Sequence, residues 1–360
     1  MRSGNKITAA NAAVFLLFAV NQPMLAADQV SDGQWYHQFL NTSEAHQATQ
    51  GEGVVVAIVD SGVDASHPDL AGSVLSGTDL SHEGPGDGRK DTNGHGTKMA
   101  SLVAAHGRVR GVAPAARILP VRAGTGSGAG TSKVADGIVW AVAEGAKVIS
   151  VSTGSEDDPL TRQAIQAALA ADAVVVASVG NRPDDTSVLY PAAYPGVLAV
   201  AAVGKNGEHA QISVTGPQVV IAAPGTDVSG AHPGGRYSVG TGTSDATAIV
   251  AGAVALVRAR FPQLKAADVV RRLTATAIDK GSPGRDPSYG FGVLNLVGAL
   301  TAELPAATSP AVKESSAVSV LPPSTPDRFP WWVVILVAVP VVAAVIAAAV
   351  WSRRRGRVGW

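Results

Sequence analysis

Runs of β-branched and small apolar residues recur along this chain, at 51–59 (GEGVVVAIV), 117–121 (RILPV), 147–151 (KVISV), 173–177 (AVVVA) and 197–203 (VLAVAAV). None of them alternates apolar with polar, so each suits a strand covered on both faces rather than one with a wet side. Helix-compatible stretches lie between several of them, at 94–105, 132–144 and 160–171. Strands alternating with helices of about 10–15 residues predict βαβ units, and hence an α/β fold with a mostly parallel sheet. Further helices are expected at 245–261 and 266–275, with 289–300 closing the domain. Open sheets of this kind bind ligands beyond the carboxyl ends of their strands. Asp60 stands at one such end.

Residues 237–252 (YSVGTGTSDATAIVAG) place one hydroxyl, Ser244, between Gly240 and Gly242 on one side and a run of helical character on the other. A serine at a loop-to-helix junction is exposed and lies beside the unpaired N–H groups of the helix start. That suits a nucleophile whose product carries an oxyanion, although serine is also a common helix cap. Three other stretches decide between these roles. Asp60 lies in VAIVDSGVDASHPDL, His95 in DTNGHGTKMAS at a helix start, and Asn181 in AVVVASVGN beyond another strand. Serine needs an adjacent base at neutral pH, imidazole has a suitable pKa, and a carboxylate fixes its tautomer and stabilises the imidazolium. The chain order Asp, His, Ser is one of the convergent arrangements for acyl transfer. Asn181 offers an amide donor to the developing oxyanion.

DSGVDASHPDL, NGHGT, VVVASVGN and GTSDA together resemble, in order and spacing, the landmark segments of the subtilisin-like (subtilase) serine peptidases, from about residue 51 to residue 300. The resemblance implies a three-layer subtilisin-like fold and a serine endopeptidase that acts on polypeptides. It implies a triad of Asp60, His95 and Ser244, with Asn181 and the Ser244 N–H forming the oxyanion hole. Gly126, Ser127 and Gly128 would form an edge strand that pairs with the substrate backbone. Ser152, Thr153 and Gly154 would line the opposite side of the groove and the first specificity pocket.

Inside the motifs the chain departs from its family. His-Val-Ala-Gly usually follows HGT, whereas Lys98, Met99, Ala100 and Ser101 stand here. The usual Met after the nucleophile is Asp245, and the usual Pro three residues further on is Ala248. Loss of that proline is expected to leave the helix start less rigid. Asp245 is expected to favour the protonated imidazole of His95 and to raise the apparent pKa that limits activity, unless it points away and caps the helix.

The two ends set the location. Residues 1–27 carry Arg2 and Lys6, an apolar stretch and small residues at Ala26 and Ala27, the layout of a cleavable signal peptide. Residues 28–50 read as a short helical extension, too short for a separate inhibitory prodomain. After a catalytic domain at 51–302, residues 303–330 are rich in Pro, Ser, Thr and Ala and form a linker. Residues 331–351 (WWVVILVAVPVVAAVIAAAVW) hold no charge and are long enough to span a bilayer, with tryptophans at both edges and four arginines in the tail at 352–360. This predicts a single-pass type I protein of the cell membrane, its catalytic domain extracytoplasmic. Signal peptide, short extension, linker and anchor resemble the mycosins, the membrane-anchored subtilases of type VII secretion. That resemblance implies secretion-system components as partners. The lack of cysteine departs from mycosins that carry disulfides.

Other classes fare worse. Formal net charge is zero, so no basic field argues for nucleic acid. With no cysteine there is no thiol nucleophile, thiolate metal site or disulfide. Residues 124–130 (GTGSGAG) sit in the context of a dinucleotide loop but fit G-x-G-x-x-G poorly. His67 with Asp64 and Asp69 reads as structural, the remaining histidines lack ligand spacing, and residues 87–91 read as a solvated loop. No metal or other cofactor is expected. A catalytically weak subtilase scaffold within a membrane complex is the alternative to an active peptidase.

Overall fold

The computed structural model describes residues 27–81, 86–124 and 131–305. The chain divides into one unit at Met1–Pro305 and a second at Ala306–Trp360, the second wholly outside the described residues. The expected signal peptide at 1–27 likewise lies outside them except for Ala27, as do the edge-strand residues Gly126, Ser127 and Gly128 and the linker, span and tail beyond 305. Among the described residues no helix is long and apolar enough to cross a membrane.

In chain order, α1 (Ala27–Asp32), α2 (Tyr36–Phe39) and α3 (Thr42–Ala48) precede β1 (Val55–Asp60), β2 (Thr78–Asp79) and α4 (His95–Ala104). Then come β3 (Arg117–Arg122), α5 (Thr131–Ala143), β4 (Val148–Val151), α6 (Pro159–Ala170), β5 (Val174–Ser178) and β6 (Leu198–Val203). β7 (Ile221–Pro224), β8 (Val228–His232), β9 (Arg236–Gly240), α7 (Thr243–Arg260), α8 (Ala266–Ala275) and α9 (Leu296–Thr301) complete the domain.

Seven strands form one sheet in the order β2-β3-β1-β4-β5-β6-β7, and every pairing within it is parallel. The alternation of side chains explains the unbroken apolar runs. Val56, Ile58, Val148, Val174, Val176, Leu198 and Val200 enter one core with residues of α4, α7 and α8. Ala57, Val59, Ile149, Val151, Val175, Ala199 and Ala201 enter the other, with residues of α5 and α6. Helices cover both faces, so both sets of side chains are mostly apolar, with Ser150 of β4 a buried exception. The sheet reverses direction of growth at β1, which is flanked by β3 and β4. Ligand sites in open α/β sheets favour the crevice at such a switch.

Several elements depart from expectation. The stretch leading into the serine is the second strand of an antiparallel hairpin, β8 with β9, whose sequence GAHPGGRYSVG carries two-sided polar character and so gave no clean period. β7, an alanine-rich strand of four residues, is too short to stand out. The extension preceding β1 is three short helices rather than one, and it packs into the core: Val30, Tyr36, Leu40 and Ala45 are buried. Trp35 Nε1 donates to the Thr226 carbonyl at 2.9 Å. The closing segment is helical only over α9.

Candidate active site

β1 delivers Asp60 at its last position, and α4, reached by way of β2, carries the imidazole at its first. The Asp60 carboxylate is 3% exposed and accepts from Ser61 N–H at 2.8 Å. His95 Nδ1 reaches both of its oxygens, at 2.8 and 2.9 Å. Donation from Nδ1 leaves Nε2 of the neutral ring as the free base, facing the cleft. Gly96 follows, where an added Cβ would collide with the Gly62 carbonyl. Only a residue without a side chain lets α4 start this close to the end of β1.

The start of α4 is held by Asp91. Its Oδ1 accepts from the N–H groups of Asn93 (2.9 Å) and Gly94 (2.8 Å) and from Ser61 Oγ (3.0 Å). Its Oδ2 accepts from Thr97 N–H (2.9 Å) and Thr97 Oγ1 (2.6 Å). A carboxylate here satisfies the orphan donors of the helix start and suits the positive end of its dipole. Asp91 is 8% exposed, which corrects the expectation of a solvated loop at 87–91 at that residue, while Arg89 and Lys90 are exposed. The legible signal was an acidic residue a few positions ahead of a helix start, in DTNGHGT.

Ser244 lies in the first turn of α7, one residue inside the helix rather than before it. Its Oγ donates to the Ser152 carbonyl at 3.2 Å, and no hydrogen bond joins it to His95 among the described residues. Asn181 follows β5 and accepts, through Oδ1, from Thr243 N–H at 2.9 Å and from Thr243 Oγ1 at 3.2 Å. A backbone N–H can only meet the amide oxygen, so this contact orients the side chain and leaves Nδ2–H free to donate. His95, Ser244, Asn181, Ser152, Thr153 and Gly154 all line one open cleft of about 450 Å³. The structure therefore brings together every predicted site residue that it describes.

Other residues of the cleft were not foreseen. Leu189, Asp184 and Asp185 line it as well. A Cβ on Gly154 would strike Leu189 Cδ1, so Leu189 closes the floor against this segment. Asp185 Oδ2 accepts from the Asn181 N–H at 2.6 Å and so anchors the backbone of the amide donor. Neither role leaves a local sequence pattern.

The electrostatics at His95 differ from expectation in one respect. Burial opposes the imidazolium, but the charge and hydrogen bond of Asp60 outweigh it and hold the pKa above its ordinary value, with Asp245 acting in the same direction and Lys98 against it. Asp245 neither acts alone nor points away to cap the helix: its Oδ1 lies 2.6 Å from Lys98 Nζ. Asp245 thus acts on the imidazole in the expected direction, and the unforeseen Lys98 opposes it. The absence of proline at position 248 leaves no break, since α7 is continuous through a fully buried Ala248. Among the described residues no group of three or more His, Cys, Asp or Glu is placed to hold a metal ion.

Comparison with known proteins agrees with this geometry. The profile of the subtilase family of S8 peptidases matches residues 51–292. A thermostable alkaline protease of Halalkalibacterium halodurans is 39% identical over 267 residues, which is 72% of this chain and 72% of that protein. Among solved structures, MycP1 with its N-terminal propeptide removed is similar at a TM-score of 0.68 and 31% identity, covering 75% of this chain and 98% of that one. The MycP3 protease from the type VII (ESX-3) secretion system is similar at a TM-score of 0.64 and 32% identity, over 75% of this chain and 88% of that one.

Proposed function

The chain belongs to the subtilase family of serine endopeptidases, and from that membership we propose that Asp60, His95, Ser244 and Asn181 hydrolyse peptide bonds in polypeptides at the membrane surface. The observation that carries the proposal is the doubly contacted His95 Nδ1 on a buried Asp60, set in one cleft with Ser244 and Asn181. His95 Nε2 takes the Ser244 Oγ proton as Oγ bonds to the substrate carbonyl carbon. The carbonyl oxygen becomes an oxyanion held by Asn181 Nδ2–H and the Ser244 N–H. Collapse breaks the C–N bond, and the leaving amine takes the proton from His95. Water, deprotonated by the same imidazole, then attacks the acyl-enzyme and releases the carboxylic acid and free Ser244. Asp60 stays ionised throughout and stabilises the imidazolium.

Residues 331–351 would anchor this domain outside the cell, with the arginine-rich tail inside. Ser152, Thr153 and Gly154 would hold one side of the substrate and Gly126, Ser127 and Gly128 the other. Likeness to MycP1 and MycP3 supports a mycosin-like role in type VII secretion. One observation favours the alternative of a catalytically weak scaffold: Ser244 Oγ is turned to the Ser152 carbonyl rather than to the base. Catalytic hydrogen bonds often tighten only with substrate bound. A fluorophosphonate probe separates the two. Labelling of the folded full chain that is lost in Ser244→Ala supports the peptidase, and no labelling of the folded wild type supports the scaffold. Profiling the N-termini of exported proteins with and without Ser244 then identifies the substrate.

A further inference from the structure

Two of the positions at which this chain leaves its family, Lys98 and Asp245, meet each other in space. Lys98 lies one helical turn beyond His95 on α4, and Asp245 directly follows Ser244 on α7. Their Nζ and Oδ1 are 2.6 Å apart, with side chains only 10% and 4% exposed. Asp245 Oδ1 has no hydrogen bond of regular geometry, so the contact is one of charge. A lone lysine or aspartate buried at this depth is costly, and removal of one partner leaves the other uncompensated.

The surroundings are shaped for the lysine. A Cβ on Gly230 of β8 would strike Lys98 Cγ, and one on Gly240 of β9 would lie 2.5 Å from Nζ. The hairpin thus leaves a channel along which the stem runs to Asp245. Ser101 Oγ closes the arrangement, donating to the Lys98 carbonyl at 2.7 Å and accepting from Ala231 N–H at 2.9 Å. Other titratable groups face the pair or its imidazole. Tyr36 of α2, fully buried, has its phenol pKa raised by burial and by Asp245. Asp60 faces His95 from β1. From the hairpin, His232 faces Gly94, with Arg236 and Asp91 as its charged neighbours.

We propose that Lys98 and Asp245 are a matched pair of positioning residues, an electrostatic clamp that holds the histidine helix in register with the serine helix. The proposal rests on Asp60, His95 and Ser244 being the triad. The clamp has a signature that packing alone lacks: its halves act on the imidazolium with opposite sign. Removing Lys98 leaves a carboxylate that favours protonation, and removing Asp245 leaves a cation that opposes it.

The test uses the full chain in mild detergent as wild type, Lys98→Met, Asp245→Asn and the double variant. The acid limb of kcat/KM on a fluorogenic casein peptide is measured, and the His95 ring is titrated by NMR in a Ser244→Ala background. Lys98→Met is expected to move both to higher pH and Asp245→Asn to move both to lower pH. Each single variant is expected to lose at least tenfold in kcat, and the double variant to return toward wild type in pH profile and to lose less than the two singles combined. Shifts in the same direction, no shift, or losses that simply multiply would overturn the clamp. If a single variant does not fold, a double variant that melts closer to wild type supports the proposal, and one no more stable than the worse single overturns it. Wild-type inactivity would overturn the triad assignment instead, and the NMR titration still decides the clamp.

Discussion

Asn181 is held from two directions, its amide oxygen by Thr243 and its own N–H by Asp185. Preorganised donors of this kind spend no reorganisation at the moment of reaction. Asn181→Ala is therefore expected to lower kcat by about 10²–10³, the range carried over from subtilases as a class, with KM nearly unchanged. Steady-state kinetics check this, and a rise in KM at constant kcat would assign Asn181 to ground-state binding. Leu189 carries the specificity prediction. It closes the cleft floor beside Gly154, so the native pocket should favour small substrate side chains. Leu189→Ala should raise kcat/KM for large apolar residues over alanine by about 10–200-fold, the scale on which a hydrophobic pocket discriminates. A peptide library cleaved by both forms reads the ratio, and an unchanged preference contradicts the assignment. Asp60, His95, Asn181 and Ser244 were legible as residues because their chemistry demands particular side chains beside strand ends and helix starts. Leu189 and Asp185 were not, since a wall or an anchor can be built from many residue types.

At the scale of elements, the extension α1–α3 behaves as part of the core although the family profile begins only at residue 51. His37 sits on it, with Nδ1 beside Thr42 Oγ1 and Nε2 beside the Arg110 carbonyl, each at 2.9 Å. Burial lowers its pKa from 6.5 to about 4, despite the opposing Arg110 hydrogen bond. The folded chain thus favours the neutral ring. The stability this gives is present above about 6.5 and is lost as pH falls toward about 4, where the unfolded chain alone binds the proton. Asp64, Asp79 and Asp172 are held below their ordinary 3.8 by hydrogen bonds that outweigh burial, so their contribution is lost only at lower pH. Between pH 6.5 and 4 the extension should loosen before the sheet does. Hydrogen exchange at 27–48 should quicken at pH 4.5 relative to pH 7, after correction for intrinsic rates, and less so in His37→Gln. Uniform quickening across the sheet would contradict this.

For the whole molecule, the proposed location rests on the ends and the proposed chemistry on the middle. A chain ended after Pro305 should leave the membrane fraction for the soluble one, while the full chain stays in the pellet after an alkaline wash. Retention of the shortened form would place the membrane contact in the catalytic domain. The sequence by itself determined the class of fold, because strands buried on both faces must be apolar at nearly every position and that leaves a continuous signature. It also singled out the four side chains proposed to carry the reaction, whose chemistry admits few substitutes. Tertiary structure alone decided the rest. The docking of the extension, the hairpin channel and the partnership of Lys98 with Asp245 join residues far apart in the chain. Read singly, Lys98 and Asp245 are a helix lysine and an unopposed carboxylate near the base. The sign of the field at His95 depends on how close each lies, and only the packing of α4 against α7 sets those distances.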